Sequence, residues 1–109
     1  MKIFLTPVSP PVFKGKIEYS FSGDTIIASY GKKTDTFDFT NLPDGRLETE
    51  KVITKLAMNP VLSAERENGV LSVVLLNYIG PDASVSERFP EWMEVGTDGR
   101  NDLEATSQD

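Results

Sequence analysis

A small, mainly β domain is what this sequence predicts: an antiparallel meander plus a β-hairpin, closed as a two-layer sandwich or partly open barrel and followed by a disordered acidic C-terminal tail. Three observations predict it. Residues 16–21 alternate cleanly, with Ile17, Tyr19 and Phe21 on one side and Lys16, Glu18 and Ser20 on the other, the period of a half-buried strand. Two further apolar runs of similar length follow, each set off by a glycine-containing turn. Asn68-Gly69 then separates two long apolar segments, and this dipeptide favours the two-residue hairpin turn with both residues at positive φ. We expect residues 1–95 to form one β-domain and residues 96–109 the tail.

The elements follow in order. Residues 2–6 read as a short strand, ended by Pro7-Val8-Ser9-Pro10-Pro11, because three prolines in five residues cannot join a central ladder. The meander comprises strands at 16–21, 25–30 and 34–39, turned at Ser22-Gly23-Asp24 and Gly31-Lys32-Lys33. Asn41-Leu42-Pro43-Asp44-Gly45 is a further turn, with proline fixing φ and glycine tolerating its positive range.

Residues 46–58 are ambiguous. Val52, Ile53, Leu56 and Ala57 have helical spacing, but the segment is short and meets Asn59-Pro60, where helix is disfavoured before the proline. We expect a strand around 52–57, a turn or two of helix being the alternative. In the hairpin, Arg66 should face Leu71, Ala64 Val73 and Leu62 Leu75; on the other face Glu65 should meet Ser72, Ser63 Val74 and Val61 Leu76. Far from the turn both faces are apolar, which implies a strand covered on two sides, by a second layer or by another chain.

Composition removes whole classes of chemistry. The 109 residues include neither cysteine nor histidine, so disulfides, thiolate sites, serine triads and histidine-based acid–base catalysis are excluded. The net charge is −6, and beyond residue 84 seven acids face only Arg88 and Arg100. That balance argues against nucleic acid as a partner, since phosphate binding relies on clustered Lys and Arg. No apolar stretch approaches a membrane span, so a soluble protein with no membrane partner is expected. No cofactor is expected.

Carboxylates remain as reactive groups. Asp35 with Asp38, or Glu65 with Glu67 about 7 Å apart on one strand face, could form acid–base pairs, although a working acid needs burial and these positions read as solvated. Asp98-Gly99-Arg100-Asn101-Asp102 offers oxygen ligands near a glycine but lacks the calcium-loop register. Gly31-Lys32-Lys33 has no phosphate-loop spacing and reads as a hairpin tip. No catalytic or metal-binding residue is therefore assigned, and the protein is expected not to be an enzyme.

Aromatics supply the candidate binding residues. Tyr19, Phe21, Tyr30, Phe37 and Phe39 should line one side of the meander, as core or as a platform for carbohydrate or a partner protein. Trp92, framed by Pro90 and acids, should clamp the core or stand out as an anchor.

Met1-Lys2-Ile3-Phe4-Leu5-Thr6-Pro7, Phe37-Asp38-Phe39-Thr40-Asn41-Leu42-Pro43-Asp44-Gly45, Asn68-Gly69-Val70-Leu71 and Glu87-Arg88-Phe89-Pro90 together carry a resemblance over residues 1–92. In their order the chain resembles short proteins encoded among the tail genes of tailed bacteriophages and prophages. The Pro-rich connector and the acidic tail depart from that pattern. Such proteins look like accessory proteins without catalytic residues, so the resemblance implies a structural or assembly role. It implies phage tail or baseplate proteins as partners and a location in the host bacterial cytoplasm during assembly and in the virion; the small core set against so many β-branched residues points besides to burial by partners or self-association. The alternative from the residues is a carbohydrate- or peptide-binding β module using the aromatic face.

Overall fold

The alternation of Ile17, Tyr19 and Phe21 becomes β2 (Glu18–Ser22), the first strand of an antiparallel meander with β3 (Thr25–Tyr30) and β4 (Lys33–Asp38). In the computed structural model, which describes residues 1–47 and 52–95, these strands form a three-stranded sheet in the order β2-β3-β4. Register places Tyr19 opposite Ala28, Phe21 opposite Ile26 and Ile26 opposite Phe37. One face of the meander is thereby apolar along β2 and β3, whereas on β4 it carries Phe37 together with Asp35, opposite Ala28, and Lys33, opposite Tyr30.

The remaining strands build a second sheet. These are β1 (Lys2–Val8), β5 (Gly45–Arg46), β6 (Val61–Glu67), β7 (Val70–Tyr78) and β8 (Met93–Glu94), in the order β5-β6-β7-β1-β8. One short helix, α1 (Val85–Arg88), precedes β8. Ile3, Val61, Ala64, Leu71, Val73 and Leu75 of this sheet share one buried cluster with Phe21, Ile26, Ala28 and Phe37 of the meander. The protein is mainly β, two sheets enclosing one core. The expected tail, residues 96–109, lies outside the described residues.

The Asn68-Gly69 turn forms as its chemistry requires, with φ of 52° and 81°. Near it the register is the expected one: Arg66 opposite Leu71, Glu65 opposite Ser72, Ala64 opposite Val73 and Ser63 opposite Val74. Farther out the expectation is corrected. An irregularity between Val61 and Ser63 sets Val61, not Leu62, against Leu75. This is the effect of a β-bulge, whose extra residue reverses the side to which the following side chains point. Val61 enters the core and Leu62 is turned to the outside, 40% exposed.

Two other expectations are corrected. The first strand runs through Pro7 to Val8 instead of ending at Thr6. It pairs with β7 in parallel, from Lys2–Ser72 to Val8–Tyr78, while every other ladder among the described residues is antiparallel. The Val8 carbonyl accepts from the Ile79 N–H at 3.0 Å, so even-numbered residues of β1 direct their backbone groups at β7. Pro7 therefore turns its missing N–H to the other side, where β8 pairs only with Lys2 and Ile3. The strand expected around 52–57 does not form; residues 52–60 are irregular. Thr54 Oγ1 accepts from the Leu56 N–H and Asn59 Oδ1 from the Val61 N–H, local bonds that satisfy the backbone without a ladder. Leu56 still reaches the core.

The connector between β1 and β2 has no regular structure, but Phe13 anchors it. Its ring rests on Gly80, where an added Cβ would come within 2.9 Å of the ring.

Candidate functional site

The meander register fixes where the aromatic residues go. Tyr19 and Phe21 of β2 and Tyr30 of β3 share a face with Ile26 and Ala28, and Phe37 and Phe39 continue it. Phe21, Phe37 and Phe39 are buried. Tyr19 and Tyr30 sit half-buried at the margin of the same core. Tyr19 donates its hydroxyl to the Leu76 carbonyl of the opposite sheet. Burial pushes that hydroxyl's pKa up, with Tyr78 adding to the shift. Tyr30 meets Tyr78 edge-on, with ring centroids 5.5 Å apart. Five of the six candidate aromatics thus act together as packing between the sheets.

Trp92 is brought elsewhere. It packs tilted on Phe4 at 5.4 Å and remains 52% exposed. Phe4 lies opposite Val74, and Val74 opposite Ser63. These residues have the opposite parity to the buried Ile3, Val73 and Ala64, so they occupy the outer face of the five-stranded sheet. Leu62, turned out by the bulge, lies beside this row.

The adjoining row on that face is polar. Glu94 lies opposite Lys2, Lys2 opposite Ser72, Ser72 opposite Glu65 and Glu65 opposite Arg46. Glu65 and Arg46 approach to 4.0 Å while largely exposed, a geometry that adds little stability. The outer face is therefore divided into an apolar strip and a charged strip. The other sheet's outer face is different. Its rows are Glu18–Ser29–Thr34, Ser20–Ile27–Thr36 and Ser22–Thr25–Asp38, almost all hydroxyls and carboxylates.

α1 lies against β1. Ser84 and Glu87 form a reciprocal capping box at its start, and Glu87 also pairs with Lys16. The Lys16 ammonium, helped by the Ser84 N–H, pulls the Glu87 carboxyl down to about 2. Val85 and Phe89, four residues apart, are 76% and 74% exposed. Sequence reading assigned no role to Phe4, Leu62 or Val74. Val74 belongs to an apolar run whose two-sided character was visible, but which side faced outward depended on register, and Phe4 lay in a segment read only as a short strand.

The carboxylates are distributed over the surface. Asp35 accepts from the Lys55 N–H at 2.8 Å, which with the Thr36 N–H lowers its pKa. Asp38 is lowered by Thr40 and Thr25. Groups held this way are charged at neutral pH and do not store a proton for general-acid work. No cluster of three potential metal ligands occurs among the described residues, and no helix among them is long and apolar enough to cross a membrane. Asp98 to Asp102 lie outside those residues. The Gly31-Lys32-Lys33 segment is an exposed hairpin tip with Gly31 at φ 64°.

Comparison with known protein families, curated proteins and solved structures finds no match to this chain.

Proposed function

We propose that the protein is a non-enzymatic accessory protein of phage or prophage tail assembly, acting through protein–protein contacts on the outer face of its five-stranded sheet. The observation that carries the contact surface is the strip of Trp92, Phe4 and Val74 with the outward-turned Leu62. Apolar side chains grouped beside a charged strip have the make-up of an interface, a hydrophobic centre with a polar rim. The hydroxyl-rich outer face of the other sheet has no such centre. The phage setting rests on the resemblance in sequence order, and it supplies tail or baseplate proteins as partners, self-association on the same strip, and a location in the host cytoplasm and virion.

The test is a pull-down from lysate of the native host with the wild-type chain and with Val74→Lys, the retained proteins being identified by mass spectrometry. Tail or baseplate proteins held by the wild type and lost with the lysine variant are the expected result. Retention of the same set by both proteins, or of none by either, would overturn the reading.

A second reading, a carbohydrate- or peptide-binding module, now rests on Trp92, the one candidate aromatic that stands mostly free of the core. A shift of its fluorescence on titration with cell-wall glycans would favour it.

A further inference from the structure

The inward-facing row of β7 runs Leu71, Val73, Leu75, Asn77 and continues to Ile79, and all five residues are buried. Four are aliphatic and one is an amide. Asn77 is 5% exposed, and its side chain hydrogen-bonds to no other described residue. A primary amide carries two N–H donors and an oxygen that accepts twice. No fully enclosed side-chain nitrogen or oxygen among the described residues is left without a hydrogen bond, so the Asn77 amide must open onto accessible space.

The surroundings supply that space. The Asn77 side chain lines a cleft of about 230 Å³ between the two sheets. Leu5 and Met93 wall it from one sheet, and Ile17 and Phe21 from the other. Tyr19 also lines it, but its hydroxyl is committed to the Leu76 carbonyl. The Lys16–Glu87 ion pair stands at its margin. This margin is neutral in sum, and the walls are apolar, so a charged ligand would lose hydration without an opposite charge to replace it. The cleft is larger than the roughly 150 Å³ that accommodates benzene in an apolar cavity. A single ring bearing one short polar substituent fits that space.

We propose that this cleft binds a small, largely apolar molecule carrying one neutral amide-type group, and that the group pairs with the side chain of Asn77. The site lies between the sheets and is independent of the outer strip of Phe4, Val74 and Trp92. The few, convergent polar atoms in an apolar recess are the usual composition of a small-molecule site.

Benzamide and toluene serve as probes, titrated into the isotope-labelled full chain and followed by two-dimensional amide NMR. Benzamide should shift the Asn77 side-chain resonances and the backbone resonances of Leu5, Ile17 and Met93 saturably, with toluene binding roughly tenfold more weakly. Asn77→Leu should reverse that preference, and Met93→Phe should weaken both probes by narrowing the cleft. Val74→Lys should leave benzamide binding unchanged, which separates this site from the outer-face interaction. The proposal is overturned if benzamide gives no saturable shift at these residues, or if Asn77→Leu binds benzamide as the wild type does while keeping a dispersed, folded spectrum. In either case water alone meets the amide.

Discussion

The guanidinium of Arg66 in β6 lies 3.0 Å from the carboxylate of Asp24 in the turn between β2 and β3, joining the two sheets at one end of the sandwich. The same guanidinium donates to the carbonyls of Leu42 at 2.6 Å, Phe39 at 2.7 Å and Gly69 at 3.1 Å. Its side chain is only 12% exposed. A single planar fork thus satisfies the ends of three separate turns. Arg66→Lys should not substitute for it, because an ammonium cannot address four acceptors spread in a plane. We expect Arg66→Ala to cost about 3 kcal/mol and Arg66→Lys most of that, read as a lower denaturant midpoint. A loss under about 0.5 kcal/mol, the level of an ordinary surface change, would show that the fork is dispensable.

Acid should act on the Lys16–Glu87 pair. Glu87 titrates at about 2 in the folded protein, below its ordinary 4.5. A depressed carboxyl contributes stability above its unfolded value and loses it as pH falls through the folded one. The loss should therefore lie between about 4.5 and about 2. Lys16→Met should raise the midpoint toward the ordinary value, without restoring it fully because the Ser84 N–H still donates. Carboxyl carbon NMR against pH reads this directly, and an unchanged midpoint would show that Lys16 is not its main cause.

Gly69 tests the hairpin. Its φ of 81° is unfavourable for a side chain, although a Cβ there would meet nothing within 4 Å. Gly69→Ala should consequently cost about 1 kcal/mol through backbone conformation alone. Thermal unfolding of the two proteins would decide it, equal midpoints being the contrary result.

Asp35 holds the irregular segment that follows residue 51. Its carboxylate accepts from the Lys55 N–H. Asp35→Ala should abolish hydrogen-exchange protection at the Lys55 amide while leaving protection within β6 and β7 intact. Unaltered protection at Lys55 would mean that packing of Leu56 alone fixes the segment.

Local features were legible in the sequence. The meander alternation and the Asn68-Gly69 turn are set by neighbours a few residues apart, and the register near that turn followed by counting. The bulge at Leu62 was not, because it depends on how Val61 meets a core assembled from distant strands. Nor was the parallel placement of β1, since its partner lies some seventy positions away and proline at position 7 argued against a ladder. Proline is accommodated because the ladder closes on only one side there. For the outer strip, the two-sided apolarity of β7 was visible but its outward side was not. The aromatic face was read correctly as shared by five residues, and only burial could assign Phe21, Phe37 and Phe39 to the core. Asn77 carried a readable signal, a polar residue at a position matching Leu71, Val73 and Leu75.

Because β1 pairs in parallel with β7, Lys2 beside Ser72 and Val8 beside Tyr78, the larger sheet cannot be completed in the order in which the chain is synthesised. Ile3, Phe4 and Leu5 leave the ribosome long before the strand that receives them exists. The meander and the β6–β7 hairpin can each form from neighbouring residues, whereas β1 must wait and then insert between β7 and β8. Such a high contact order slows folding and keeps an apolar N-terminal strand exposed in the meantime. A nascent chain arrested before residue 70 should therefore be the species that a chaperone engages, through the strand that the finished protein hides most completely at Ile3.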